Sequence, residues 1–185
     1  MRKDILTAAA AVAFLIGFVL LLGDATGLMF GRQGPFDLRS EKEEWSLSDG
    51  TTVRSMSEVL TFRSSDLFTV RAYDGDLPPD LRTAPIPDSL NRIVRTIGEG
   101  GSTPSIVADD VPGLDIDIVR RDATGNEAFL IRVTPDDVAA ERSRGDTATT
   151  LEGLAELWRS ALEDALQDVA DSVATGPGGR PLSRP

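Results

Sequence analysis

Four aspartates, Asp109, Asp110, Asp115 and Asp117, come closer than any other group in this sequence to a recognisable chemistry. Clustered carboxylate oxygens of this kind can hold a hard cation such as Ca²⁺. Asp115 and Asp117 alternate with Leu114, Ile116 and Ile118, which places the two carboxylates on one side of a strand and the apolar side chains on the other. The solvated face of a half-buried strand gives the same pattern, and no Asp-x-Asp-x-Asp-Gly loop accompanies it. The expectation is no resident metal, with these four as the ligands if a cation binds. Used as acid and base for glycoside hydrolysis, the same groups would lack a platform for a sugar, because aromatic residues make up only 5% of the chain.

A second motif, Gly98-Glu99-Gly100-Gly101-Ser102-Thr103, invites comparison with phosphate-binding loops. Those loops need a lysine before the hydroxyl and a helix after it, and neither is present, so the motif reads as a helix stop followed by a loop. The sequence contains no His and no Cys. That removes disulfides, Ser-His-Asp and Cys-His nucleophiles and the usual N/S zinc sites. The expectation is a protein that is not an enzyme and needs no cofactor. Its formal charge of −11 repels phosphate backbones, which excludes nucleic acid as a partner.

These residues must be positioned by elements that the hydrophobic pattern makes legible. Residues 5–22 form an uncharged apolar stretch after Arg2 and Lys3. Eighteen residues at a rise of about 1.5 Å make a helix of about 27 Å, close to the roughly 30 Å of a hydrocarbon core. Residues 1–22 are therefore expected to be a retained transmembrane anchor, longer than the core of a cleaved signal. The flanking positive charge puts the amino end inside and the following domain outside the inner membrane. Ala9, Ala13 and Gly17 line one face of that helix and would let another membrane helix approach closely. The bilayer and other integral membrane proteins are the expected partners.

Residues 23–44 read as a juxtamembrane linker, 45–174 as the extracytoplasmic domain and 175–185 as a disordered tail. Within the domain, Asp49-Gly50 predicts a hairpin turn, and strands are expected over 59–62, 67–73, 106–108, 114–119 and 128–133. The proline-rich stretch 77–87 reads as an extended loop leading into a helix over 90–97. Thr134-Pro135-Asp136-Asp137 carries the marks of a helix start, with a hydroxyl cap, a proline and acid in the first turn. The strongest signal is a helix over 151–173, with Leu151, Leu154, Trp158, Leu162 and Val169 on one stripe. Its opposite face sets Glu152, Glu156, Glu163, Asp168 and Asp171 against a lone Arg159. Such a face either is simply solvated or docks a basic partner.

Phe68-Thr69-Val70-Arg71-Ala72, the helix over 90–97, the strand over 114–119, the run from Phe129-Leu130-Ile131-Arg132-Val133 through Thr134-Pro135-Asp136-Asp137-Val138-Ala139, and Leu154-Ala155-Glu156-Leu157-Trp158 with Ala161-Leu162 follow one another in a suggestive order. Together they cover about half the chain. The order resembles the extracytoplasmic region preceding the channel part in bacterial small-conductance mechanosensitive channel proteins. No pore segment takes part in the resemblance, so conduction is not carried over. What it implies is a sensor or accessory domain beside membrane machinery, with no catalytic residue to transfer.

The expected fold is α+β, a transmembrane helix followed by a mostly antiparallel sheet with two main helices on one face. The expected function is a non-enzymatic accessory or assembly subunit of a larger membrane complex. The alternative is an anchored or secreted ligand-binding module, with Ca²⁺ as its ligand.

Overall fold

The computed structural model describes residues 34–46, 50, 52–112 and 115–175. Its elements follow in the order β1 (Phe36–Ser46), β2 (Thr52–Phe62), β3 (Ser65–Val70), α1 (Pro79–Thr83), α2 (Pro85–Gly98), β4 (Ser105–Val111), β5 (Asp115–Arg121), β6 (Glu127–Val133), α3 (Pro135–Ser143) and α4 (Leu151–Thr175). The α+β class is as expected, but the single sheet is corrected to two three-stranded sheets, β1-β2-β3 and β4-β5-β6. Both are antiparallel throughout. Each is a local meander closed by short turns, and α1 and α2 lie between them in sequence, so neither meander needs the other to complete its ladder.

The first hairpin is longer than its sequence signal. β1 occupies part of the stretch expected to be linker, and it pairs with β2 from Phe36↔Phe62 out to Ser46↔Thr52. The pairing closes at Ser46↔Thr52, on either side of the expected Asp-Gly turn; Asp49 lies outside the described residues, and Gly50 stands at φ +84°, a conformation glycine enters without a Cβ clash. β3 pairs only with Glu58 to Phe62 of β2, so the distal part of the hairpin runs on as a two-stranded arm. At the other end the chain turns at Arg63 and Ser64, both at positive φ, which suits a tight hairpin but is costly for side-chain-bearing residues. The start of β1 is held from the side by α2. Asn91 Oδ1 accepts from Phe36 N at 3.1 Å and Asn91 Nδ2 donates to Phe36 O at 2.9 Å. Gly34 permits this approach, since a Cβ there would lie 2.0 Å from Asn91 Oδ1.

One core joins both sheets to α2 and α4. Leu154, Trp158, Leu162, Leu166 and Val169 of α4 are buried, the stripe legible in the sequence. Trp158 stacks on Phe68 of β3 with ring centroids 4.7 Å apart, and Phe36 packs against Phe62 at 4.9 Å. Leu90, Ile93 and Ile97 of α2 complete the core, together with Ile106, Ile118, Leu130 and Ile131 from the second sheet. Burial of each large aliphatic side chain is worth about 1.5–3 kcal/mol, so α4 is held by its packing more than by its propensity.

The expectation of a single-pass membrane protein is corrected. Among the described residues no helix is long and apolar enough to cross a membrane. The one long helix, α4, carries Glu152, Glu156, Arg159, Glu163, Asp164, Asp168 and Asp171 along its exposed side, and each such charge at a bilayer centre costs about 2.5–3.5 kcal/mol. Residues 1–22, with Ala9, Ala13 and Gly17, lie outside the described residues, as do residues 176–185. Within the proline-rich 77–87 stretch the structure replaces the expected loop with α1 and the first turn of α2. Pro79 and Pro85 stand at the helix starts, where a missing N–H costs nothing.

Candidate functional site

The four aspartates do not converge. Asp109 of β4 lies opposite Asp117 of β5, Asp115 opposite Val111 and Asp110 opposite Ile116. Strand alternation therefore turns Asp110 to the face away from Asp109. The sheet also brings in cations that a single strand could not reveal. Arg132 of β6 is the direct cross-strand partner of Asp117 and grips it with both arms of its fork, Nε to Oδ1 at 2.7 Å and Nη2 to Oδ2 at 3.2 Å. Its Nη1 lies 4.0 Å from Asp115. Hydrogen bonding to Asp117 is the main cause of a raised Arg132 pKa. Arg121 approaches Asp109 at 3.7 Å while it holds Glu127. Among the described residues no group of three or more carboxylates could hold a metal ion.

The tightest polar constellation is one the sequence does not announce. Arg82 of α1 and Asp137 of α3 have side chains only 3% and 2% exposed. Arg82 Nη1 and Nη2 donate to the two carboxylate oxygens at 2.9 and 2.8 Å. The same guanidinium donates to the Ala72 carbonyl just beyond β3 and to the Arg132 carbonyl on β6, the latter at 2.7 Å. Asp137 meanwhile closes the cap of α3. Its Oδ2 accepts from Thr134 N at 2.9 Å and Thr134 Oγ1 at 3.0 Å, and its own N–H donates back to Thr134 Oγ1. Each carboxylate oxygen accepts at least one hydrogen bond and the pair is almost wholly buried, so it is a clamp between the two meanders and is not open to a substrate.

A different region is open. Between β3, the turn after α3 and the start of α4 lies a cleft of about 430 Å³, lined by Leu67, Thr69, Glu141, Asp146, Leu157 and Trp158. Trp158 forms its buried apolar floor, while Leu157 stands 61% exposed at its rim. β3 is the edge strand of its sheet, and among the described residues no backbone hydrogen bond is made to it from outside the β2 ladder. One wall is an ion network in which Arg71 donates from Nε to Glu43 at 2.9 Å and from Nη1 to Glu141, with Arg144 also on Glu43. Glu43, 11% exposed, is raised by burial but lowered by more through the Arg71 hydrogen bond and the Arg71 and Arg144 charges, so its carboxyl sits below the usual range. The neighbouring Ser57 hydroxyl adds least to this lowering, being buried without a partner in hydrogen-bonding geometry.

The acidic face of α4 is more neutralised than its composition suggests. Arg159 holds Glu156 at 2.6 Å and also bonds Glu163, and Asp168 receives Arg63 from the hairpin turn. Glu152 and Asp164 stay exposed at its two flanks. No protein-family model, curated protein or solved structure matches this chain, and none of these comparisons bears on the resemblance to mechanosensitive channel proteins.

Proposed function

We propose that the folded domain is a non-enzymatic accessory or assembly module that takes an extended segment of a protein partner as a further strand on β3. The observation that carries this reading is the unpaired outer edge of β3 running beside an apolar cleft with Leu157 exposed at its rim. Strand addition would supply backbone hydrogen bonds, and alternate side chains of the incoming segment would enter the cleft. Asp146 at the cleft, where Glu141 is already held by Arg71, and the chain's charge of −11 favour a segment that alternates basic and apolar residues. The absence of His and Cys from the sequence supports binding over chemistry. The reading does not depend on an anchor.

The test uses the full chain and a blocked hexapeptide alternating Arg and Val, with the Glu and Val counterpart as its opposite. Saturable binding should shift the amide resonances of residues 65–70 and the Trp158 indole signal, and Leu157→Glu should weaken it by about tenfold or more, a loss of about 1.4 kcal/mol. Equal binding of the acidic peptide, or shifts that avoid β3, would overturn the reading.

A further inference from the structure

Most described arginines of this acidic protein hold a carboxylate: Arg39, Arg54, Arg63, Arg71, Arg82, Arg121, Arg132, Arg144 and Arg159 all do so. Arg142 instead donates to the Thr149 carbonyl. Arg92, Arg95 and Arg120 have neither kind of partner among the described residues; Arg95 is exposed on α2, whereas Arg92 and Arg120 line one cleft of about 500 Å³. Arg92 comes from α2, one helical turn before Thr96, and Arg120 from the end of β5, directly opposite Ala128 of β6. Ser89 and Ser102 bring hydroxyls to the same cleft, Ile93 supplies an apolar wall, and Phe129 stands at its rim 56% exposed.

Asp122 also borders the cleft, but its oxygens are turned into its own loop. Oδ1 accepts from Thr124 N at 2.8 Å, Thr124 Oγ1 at 2.6 Å and Asn126 N at 2.9 Å, and Oδ2 accepts from Asn126 Nδ2 at 3.1 Å. Its charge is spent on that turn and reaches neither guanidinium. An arginine in a protein with excess acid normally finds a carboxylate, so two that share a concave site without one leave ten N–H donors unclaimed between them.

We propose that this cleft is a binding site for a small molecule bearing a phosphoryl or carboxylate oxyanion on a flat apolar body. The guanidinium forks match the planar spread of the oxyanion oxygens, the serine hydroxyls complete their hydrogen bonding, and Phe129 with Ile93 covers the apolar part. The site lies on other elements than the β3 cleft and stands whether or not a strand is taken up there.

Phenyl phosphate, inorganic phosphate and benzoate, titrated into the full chain at constant ionic strength and followed by calorimetry, test the assignment and separate the two oxyanions. Phenyl phosphate or benzoate, or both, should bind saturably, the stronger of them naming the anion, and inorganic phosphate should bind more weakly than phenyl phosphate. The double variant Arg92→Gln/Arg120→Gln should weaken the tighter probe by about tenfold or more, and Phe129→Ala by about threefold. Neither arginine bonds the fold, so the double variant should melt with the parent; if it does not, Arg92→Lys/Arg120→Lys keeps the charge, loses the fork and should still weaken binding. No saturable binding of either aromatic probe, or an equal loss in the distant pair Arg39→Gln/Arg54→Gln, would overturn the proposal.

Discussion

Arg82 and Asp137 carry the sharpest consequences at the scale of single residues. A buried fork between a guanidinium and a carboxylate is costly to form and costlier to leave half-made. Asp137→Asn keeps the shape and part of the cap but leaves the guanidinium without its counter-charge, and urea unfolding should show a loss of about 3–5 kcal/mol. Arg82→Met combined with Asp137→Asn should be less damaged than the two single losses added together, and a double-mutant cycle reads that coupling. Glu43 predicts a dependence on pH. Its carboxyl is lowered in the folded state from 4.5, so its contribution is fully present above that value and fades as pH falls through the folded one. The gap in melting temperature between the parent and Glu43→Gln should therefore narrow as the solution is acidified below pH 4.5. Neither group was legible from the chain. The helix start with its Thr134 cap was, because Thr134, Pro135 and Asp137 are close neighbours in sequence, whereas Arg82 lies 55 residues from the carboxylate it meets. Arg132 opposite Asp117 hides for the same reason, since cross-strand register is not written in either strand alone.

Among the elements, those with a strong internal period were the most legible. α4 shows its stripe at every turn, and Leu162→Ala should cost about 2–5 kcal/mol in denaturant unfolding because the vacated volume sits where both sheets meet the helix. β4, β5 and β6 were expected within a few residues of their bounds, helped by Pro112-Gly113 and Thr124-Gly125-Asn126 between them. The turn at Arg63 and Ser64 carries no sequence signal because neither residue type favours positive φ. Ser64→Gly removes a left-handed cost of about 1–2 kcal/mol and adds about 0.5–1 kcal/mol of backbone entropy, so a gain of about 0.5–1 kcal/mol should appear as a higher urea midpoint. Short helices are the weakest signal of all. α1 has five residues, too few for a period, and its prolines read equally well as a loop.

For the whole molecule, the α+β class followed from the alternation of strand and helix patterns, but the division into two meanders did not. Pattern fixes which face of a strand is buried and leaves open which strand it lies beside. Residues 34–175 hold every described element and the one core that joins them. A fragment spanning 34–175 should therefore unfold in one cooperative transition with the full chain's urea midpoint, as tryptophan fluorescence would follow through the stacked Trp158. The hairpin arm has one more consequence. Beyond β3 it pairs with no third strand among the described residues, and Ser46 and Thr52 are register partners across its end. Chain entering and leaving there is already side by side, so a fluorescent reporter or a whole guest protein spliced into residues 47–51 would ride on a ready-made stalk, and the distant core would not register its arrival.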